Sequence, residues 1–158
     1  MTREQFITNV EASQKAFRRF LVALCGGNSQ LADDVAQESY VKAYLASESL
    51  AQSDKFGAWL FRIGYTTFLN HKRSERMFSD YDDARHVMAD DDADSGFRYQ
   101  ELYAALNKLS DKERMSVLLF YMENYSIKEI AEIEDASETA VRQHLSRGRQ
   151  HLRSLLTE

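Results

Sequence analysis

Proline is missing from this 158-residue chain, and glycine occurs only six times. Those two residues are the strongest interrupters of helices, so little stops helices from running long. A single cysteine, Cys25, excludes an internal disulfide framework and a cysteine-based metal cluster. Its simplest role is that of a small buried apolar residue. No apolar run approaches membrane-spanning length. The start, MTREQFITNVEASQ, lacks the continuous apolar core of a secretory signal, so a cytoplasmic location is expected. A convincing alternating strand pattern is also lacking. Hydrophobic residues nevertheless make up 44% of the chain, enough for packed cores. The expected fold class is all-α, with length for one domain or two small ones.

An excess of positive charge is the last thing absent: the formal net charge is −5. The deficit is local. Residues 1–77 carry ten Lys/Arg against eight Asp/Glu, and residues 97–158 carry nine against ten. Residues 78–96 carry one Arg against seven Asp. The overall charge therefore says little about either flank.

The most informative stretch is 126–156, SIKEIAEIEDASETAVRQHLSRGRQHLRSLL. Ser126 and Glu129 have the spacing of a capping box, which opens a short helix ending near Ile133. Glu134, Asp135 and Ala136 make a turn, and Ser137 is a natural N-cap for a second helix. Val141, Leu145, Gly148, Leu152 and Leu155 follow at steps of three and four and share one face. Gly148 removes bulk from that stripe where another helix can approach. Thr139, Arg142, Gln143, Ser146, Arg147 and Arg149 occupy the other side. This is the layout of a helix-turn-helix, whose second helix enters the DNA major groove. A helical hairpin with a merely solvated outer face has a similar pattern. The short first helix, the tight turn and the basic exposed face favour DNA binding.

In chain order, a first helix is expected from Thr2 to Cys25, with Phe6, Val10, Phe17, Leu21 and Leu24 inward and Gly26-Gly27 ending it. Asn28 or Ser29 caps a second helix to about Ser47. There Leu31, Val35, Tyr40, Tyr44 and Leu45 can face the core. Asp33, Asp34, Gln37 and Glu38 gather on another face, as an ordinary solvated surface or as an acidic docking surface for a basic partner. After a polar loop over 48–55, a third helix spans Phe56 to Met77 and is anchored by Trp59, Leu60 and Ile63. Its second half carries Tyr65, Thr66, Asn70, His71, Lys72, Arg73 and Arg76. Rings with cations suit single-stranded DNA, and a basic helix end also suits the helix dipole.

Residues 78–95 read as a flexible acidic linker between domains 1–77 and 96–158. Its eighteen residues reach roughly 60 Å extended, or about 23 Å as a coil. In the second domain Phe97, Leu102, Leu106 and Leu109 mark one helix. Ser110-Asp111-Lys112-Glu113 caps the next, and Val117, Leu118, Tyr121 and Met122 continue its apolar face.

Taken together, DDVAQESYVKAY (33–44), FGAWLFRI (56–63), LNHKR (69–73), ALNKLSDKERMSVLLFYMENYSIKEIAE (105–132) and SETAVRQHLSRGRQHLRSLL (137–156) resemble the small extracytoplasmic-function RNA polymerase sigma factors. The order and spacing of the pieces carry the resemblance over nearly the whole chain. It implies two helical domains joined by a flexible linker. It implies that Asp33, Asp34, Gln37 and Glu38 meet core RNA polymerase. Tyr65, Thr66, Asn70, His71, Arg73 and Arg76 would handle the opened minus-ten element. Ser137, Thr139, Arg142, Gln143, Ser146, Arg147 and Arg149 would read the minus-thirty-five element. The implied partners are core RNA polymerase, promoter DNA and an anti-sigma factor, with no cofactor, metal or membrane insertion. The family's turn often contains glycine, whereas this chain has Glu134-Asp135-Ala136.

Two other classes fit parts of the chain. A stand-alone helix-turn-helix regulator accounts for the second domain and leaves the acidic face and third helix without a role. An enzyme would need a site, and His71, His86, His144 and His151 sit in no ligand or nucleophile motif. No catalytic residue is expected.

Overall fold

The computed structural model describes residues 1–50, 55–78 and 93–157, and the side chains of 76–78 and 93–98 are not described. Among the described residues there are helices and no strand.

Helix α1 (Arg3–Leu24) is opened by a capping box between Thr2 and Gln5. It is closed by Gly26 and Gly27 at φ 64° and 91°, left-handed values that glycine takes without a Cβ penalty. Helix α2 (Ser29–Leu45) is capped by Asn28, whose side chain accepts from the Leu31 amide. Its inward face differs from the expectation. Tyr44 and Leu45 are exposed, and the buried positions are Ala32, Val35, Ala36, Ser39 and Ala43. Small residues bring α2 close to α1 and α3, which leaves the large ones outside. Helix α3 (Phe56–Phe78) runs one residue past its expected end. Leu60 is buried as expected, whereas Trp59 and Ile63 are only half-buried. Phe56, Phe61, Tyr65, Thr67 and Phe68 are buried with Leu60. Phe61 meets Phe17 and Phe20 edge-on at 5.8 and 4.7 Å between ring centroids.

Residues 79–92, most of the expected linker, lie outside the described residues. Its two ends are helical: Phe78 closes α3, and 93–95 open helix α4 (Ala93–Asn107). Helix α5 (Asp111–Val117) starts at the expected capping box, Ser110 with Glu113. It does not continue as a regular α-helix. Leu118–Met122 form a π-turn, and Asn124 at φ 61° turns the chain. The widened turn rotates Tyr121 off the apolar face, so it is exposed, while Leu118 and Leu119 are buried.

Helix α6 (Ile127–Glu134) begins with the Ser126–Glu129 capping box and ends at Asp135 in the left-handed conformation. Helix α7 (Glu138–Leu156) is capped by Ser137, which accepts from the Ala140 amide. Helices α1, α2 and α3 pack together, as do α5, α6 and α7. The two groups also touch, α3 against α6 and α1 against α4. One hydrophobic cluster runs from Phe17 and Leu21 to Met115 and Leu145. The expected separate domains are thus in contact here.

Candidate nucleic-acid interface

In α7, Val141, Leu145 and Gly148 are buried, Leu152 is half-buried and Leu155 is exposed. The stripe therefore packs at its N-terminal end and frays outward. Gly148 is the point of closest approach to α5. A Cβ there would lie 2.7 Å from Val117 Cγ2 and 3.5 Å from the Glu113 carbonyl oxygen. With that stripe inward, Ser137, Thr139, Arg142, Gln143, Ser146, Arg147 and Arg149 are all exposed. Arg142 is 3.6 Å from Glu138, one helical turn back. Arg149 Nη1 donates to the Tyr121 hydroxyl at 3.1 Å, a bond that steadies its guanidinium above the π-turn. The face presents polar donors over four turns with no large apolar residue among them. That composition suits base edges and phosphates.

The turn between α6 and α7 needs a positive φ, and Asp135 supplies it at 55° without a glycine. Its amide donates to the Glu132 carbonyl at 3.4 Å, and the next amide, of Ala136, to Ala131 at 2.9 Å. Beneath the turn, the Glu134 side chain is 3% exposed and its carboxylate accepts from the Ser116 hydroxyl at 2.6 Å. Burial pushes this carboxyl up to about 7, opposed by the Ser116 bond and by Lys112. His144, on α7, stands 3.9 Å away with a buried Nδ1 that has no hydrogen-bond partner. Burial moves the imidazole below its ordinary value.

On α2, Asp33, Asp34, Gln37 and Glu38 are exposed together. Asp33 holds Arg18 at 3.0 Å. Glu38 lies 3.4 Å from Lys42 and 3.6 Å from His71 of α3. The acidic face is thus partly compensated by its own neighbours, and Asp34 and Gln37 project between the pairs.

Helix α3 divides its candidates. Thr66, Asn70 and Arg73 are exposed, and His71 is half-buried against Glu38. Tyr65 is only 7% exposed, which removes its ring from any base in this arrangement. The Arg76 side chain is not among those described. Tyr65 and Thr66 line a cleft of about 300 Å³ with Arg62, Leu69, Lys112 and residues 133–136. The far wall of that cleft is the helix-turn-helix turn itself.

Sequence reasoning passed over Arg62 and Arg114. Arg62 donates to the Glu132 carbonyl at 3.2 Å. Arg114 is 3% exposed, an unusual place for a guanidinium. Arg114 follows the charged run Asp111-Lys112-Glu113 and precedes the apolar MSVLL, so its position carries no signal of burial. His144 and His151 serve Glu134 and Glu113 separately, with His151 Nδ1 3.0 Å from Glu113 Oε1. Among the described residues no cluster could hold a metal ion, and no helix is long and apolar enough to cross a membrane.

Two family models match, "Sigma-70 region 2" over residues 10–77 and "Sigma-70, region 4" over residues 99–152. SigW of Bacillus subtilis, an extracytoplasmic-function (ECF) RNA polymerase sigma factor, is 28% identical, the alignment covering 84% of this chain and 79% of SigW. EcfG of Rhodopseudomonas palustris, described likewise, is 26% identical over 94% of this chain and 83% of its own. The fold matches that of the sigma factor RpoE of Bartonella quintana, solved with the anti-sigma factor NepR. The TM-score is 0.78 at 24% identity, over 96% of both chains. It also matches CnrH, solved with the cytosolic domain of CnrY, at a TM-score of 0.73 and 23% identity over 99% of this chain and 90% of that one.

Proposed function

This chain belongs to the extracytoplasmic-function group of the sigma-70 family of RNA polymerase sigma factors, and from that premise we propose how its residues divide the work of promoter recognition. As a sigma factor it binds core RNA polymerase and directs initiation at its own promoters; it is not an enzyme. The chemistry of RNA synthesis stays with the polymerase.

In this reading residues 96–158 bind the minus-thirty-five element through α7. The observation that carries it is the clean partition of that helix. Val141, Leu145 and Gly148 are buried, while Thr139, Arg142, Gln143, Ser146 and Arg147 are exposed. Residues 1–77 bind core polymerase through Asp33, Asp34, Gln37 and Glu38. They engage the opened minus-ten strand through Tyr65, Thr66, Asn70, His71, Arg73 and Arg76. Residues 78–95 join the two and let them reach separate DNA elements. An anti-sigma factor is a further partner, as for the structural relatives solved with NepR and CnrY. The site of action is the cytoplasm, where polymerase and promoter are.

Run-off transcription tests this reading. Core polymerase with this chain, presented with a promoter library, should yield transcripts from a subset sharing two separated elements. Core polymerase unchanged by the chain, with no selected promoters, overturns it.

A further inference from the structure

We infer that Tyr121, which lies outside α7, is a further DNA-contacting residue of this chain, and that its hydroxyl and the Arg149 guanidinium together clamp one backbone phosphate of the duplex. The inference rests on the assignment of α7 to the minus-thirty-five element. It adds to that surface a residue from the π-turn after α5, and it gives Arg149 a partner in the contact.

The π-turn creates the arrangement. Val117 packs on Gly148, where a Cβ would lie 2.7 Å from its Cγ2. In a regular helix position 121 would follow Val117 one turn on, on the same inward face. Instead the Glu123 amide donates to the Leu118 carbonyl at 3.2 Å, and the Tyr125 amide to the Leu119 carbonyl at 3.0 Å. These wide rings turn Tyr121 outward, to 54% exposure. Phe120 braces its ring edge-on, with 5.0 Å between centroids. Gly148 brings α7 tight against α5, so the next residue, Arg149, stands beside that ring. Single π-turns inside helices are frequent at functional sites. Packing alone gives no reason to turn a large aromatic side chain into solvent.

The chemistry fits a phosphate. Arg149 Nη1 donates to the Tyr121 hydroxyl at 3.1 Å. A phenol accepts and donates at once, so its own O–H is left to donate outward. This partner is neutral and leaves the charge of the guanidinium for an anion, unlike the partner of Arg142, which is Glu138 at 3.6 Å. A phosphate seated there would accept from a guanidinium N–H and from the phenol O–H, one charged donor and one neutral. Arg142, Ser146 and Arg149 recur at steps of four and three, so the clamp continues the exposed face of α7. Tying down a long side chain beforehand lowers the entropy lost when it binds. A backbone contact of this kind adds affinity and fixes register without reading sequence.

The full chain is titrated onto a short fluorescein-labelled DNA duplex of mixed sequence at several KCl concentrations, with urea unfolding measured in parallel. Tyr121→Phe keeps the ring and removes the hydroxyl. It should weaken binding about fivefold, the size of a lost hydrogen bond, with an unchanged urea midpoint and a salt slope like that of the native chain. Arg149→Ala should weaken binding and flatten the slope by about one phosphate contact. On the Arg149→Ala background Tyr121→Phe should then cost less than about twofold, because the two groups share one ligand. Unchanged affinity in Tyr121→Phe overturns the clamp. So does an equal loss on both backgrounds, or a loss that follows a lowered midpoint. The assignment beneath fails separately. If Arg149→Ala weakens binding while Tyr121→Phe does not, α7 remains on DNA and only the clamp falls. If Arg142→Ala and Arg149→Ala both bind as the native chain does, α7 is not the DNA surface, and the clamp falls with it.

Discussion

Single residues carry unequal shares of this fold. Gly148 is a steric hinge between α5 and α7, with Val117 Cγ2 only 2.7 Å from where a Cβ would be. Alanine there improves helix propensity by about 1 kcal/mol. It also forces a rigid, β-branched neighbour to move, which costs about 1–3 kcal/mol in a packed core. Gly148→Ala should therefore lower the denaturant midpoint, and adding Val117→Ala should recover part of the loss. A midpoint unchanged by Gly148→Ala would mean that the two helices yield freely.

Glu134 is the second such residue. Its carboxyl is raised from 4.5 to about 7, chiefly by burial, so the folded chain holds the proton more tightly than the unfolded one. The stability linked to this proton is fully present below 4.5 and is lost as pH rises through about 7. Glu134→Gln keeps an oxygen for Ser116 and removes the titration. Between about pH 5 and 8 the variant should lose less stability than the native chain, by a difference on the order of 2–3 kcal/mol. His144 works the other way. Its lowered value favours the fold above the ordinary imidazole range, and that stability is lost as pH falls. Urea unfolding at several pH values checks the prediction. A slope identical in both chains would show that Glu134 is ionised at neutral pH.

At the scale of elements, α7 combines an anchored inner stripe with a graded outer face. Arg142 and Gln143 lie near its start, the end by which recognition helices usually enter the groove. Arg149 lies further on, held by the Tyr121 hydroxyl at 3.1 Å. Arginine at a base edge specifies, whereas arginine at a phosphate only adds affinity. Arg142→Ala should cost on the order of 1–3 kcal/mol and relax preference at one or two positions. Arg149→Ala should weaken all sequences alike and flatten the salt dependence. Binding of both variants to a panel of minus-thirty-five duplexes at several salt concentrations measures this. If neither changes affinity or preference, α7 is not the reader.

Across the whole molecule the α7 face and the acidic α2 face are exposed, and on α3 Thr66, Asn70 and Arg73 are exposed while Tyr65 is buried. Assembly with polymerase should depend on the second of these. Asp34 and Glu38 are exposed, and Glu38 is already shared by Lys42 and His71. Reversing both to lysine should weaken holoenzyme formation by charge repulsion while leaving thermal stability near that of the native chain. Core affinity unchanged in the double variant would remove α2 from the interface.

Short-range physics was legible in the residues themselves. The Ser110, Ser126 and Ser137 caps, the Gly26-Gly27 stop and the partition of α7 follow from spacing and side-chain chemistry over a few residues. These interactions close within one or two turns, so no distant partner is needed to predict them. Tertiary packing decided the rest. It set Ala32, Ala36 and Ala43 rather than Tyr44 and Leu45 against the core, because helix separation depends on the neighbour's bulk. It also buried Tyr65 beneath a turn some seventy residues away, with Arg62 reaching Glu132. Arg114 donating to Leu24, ninety residues earlier, is the extreme case. Next to Asp111-Lys112-Glu113 it looks like one more solvated charge, and only the folded chain determines that it is buried and which carbonyls it meets.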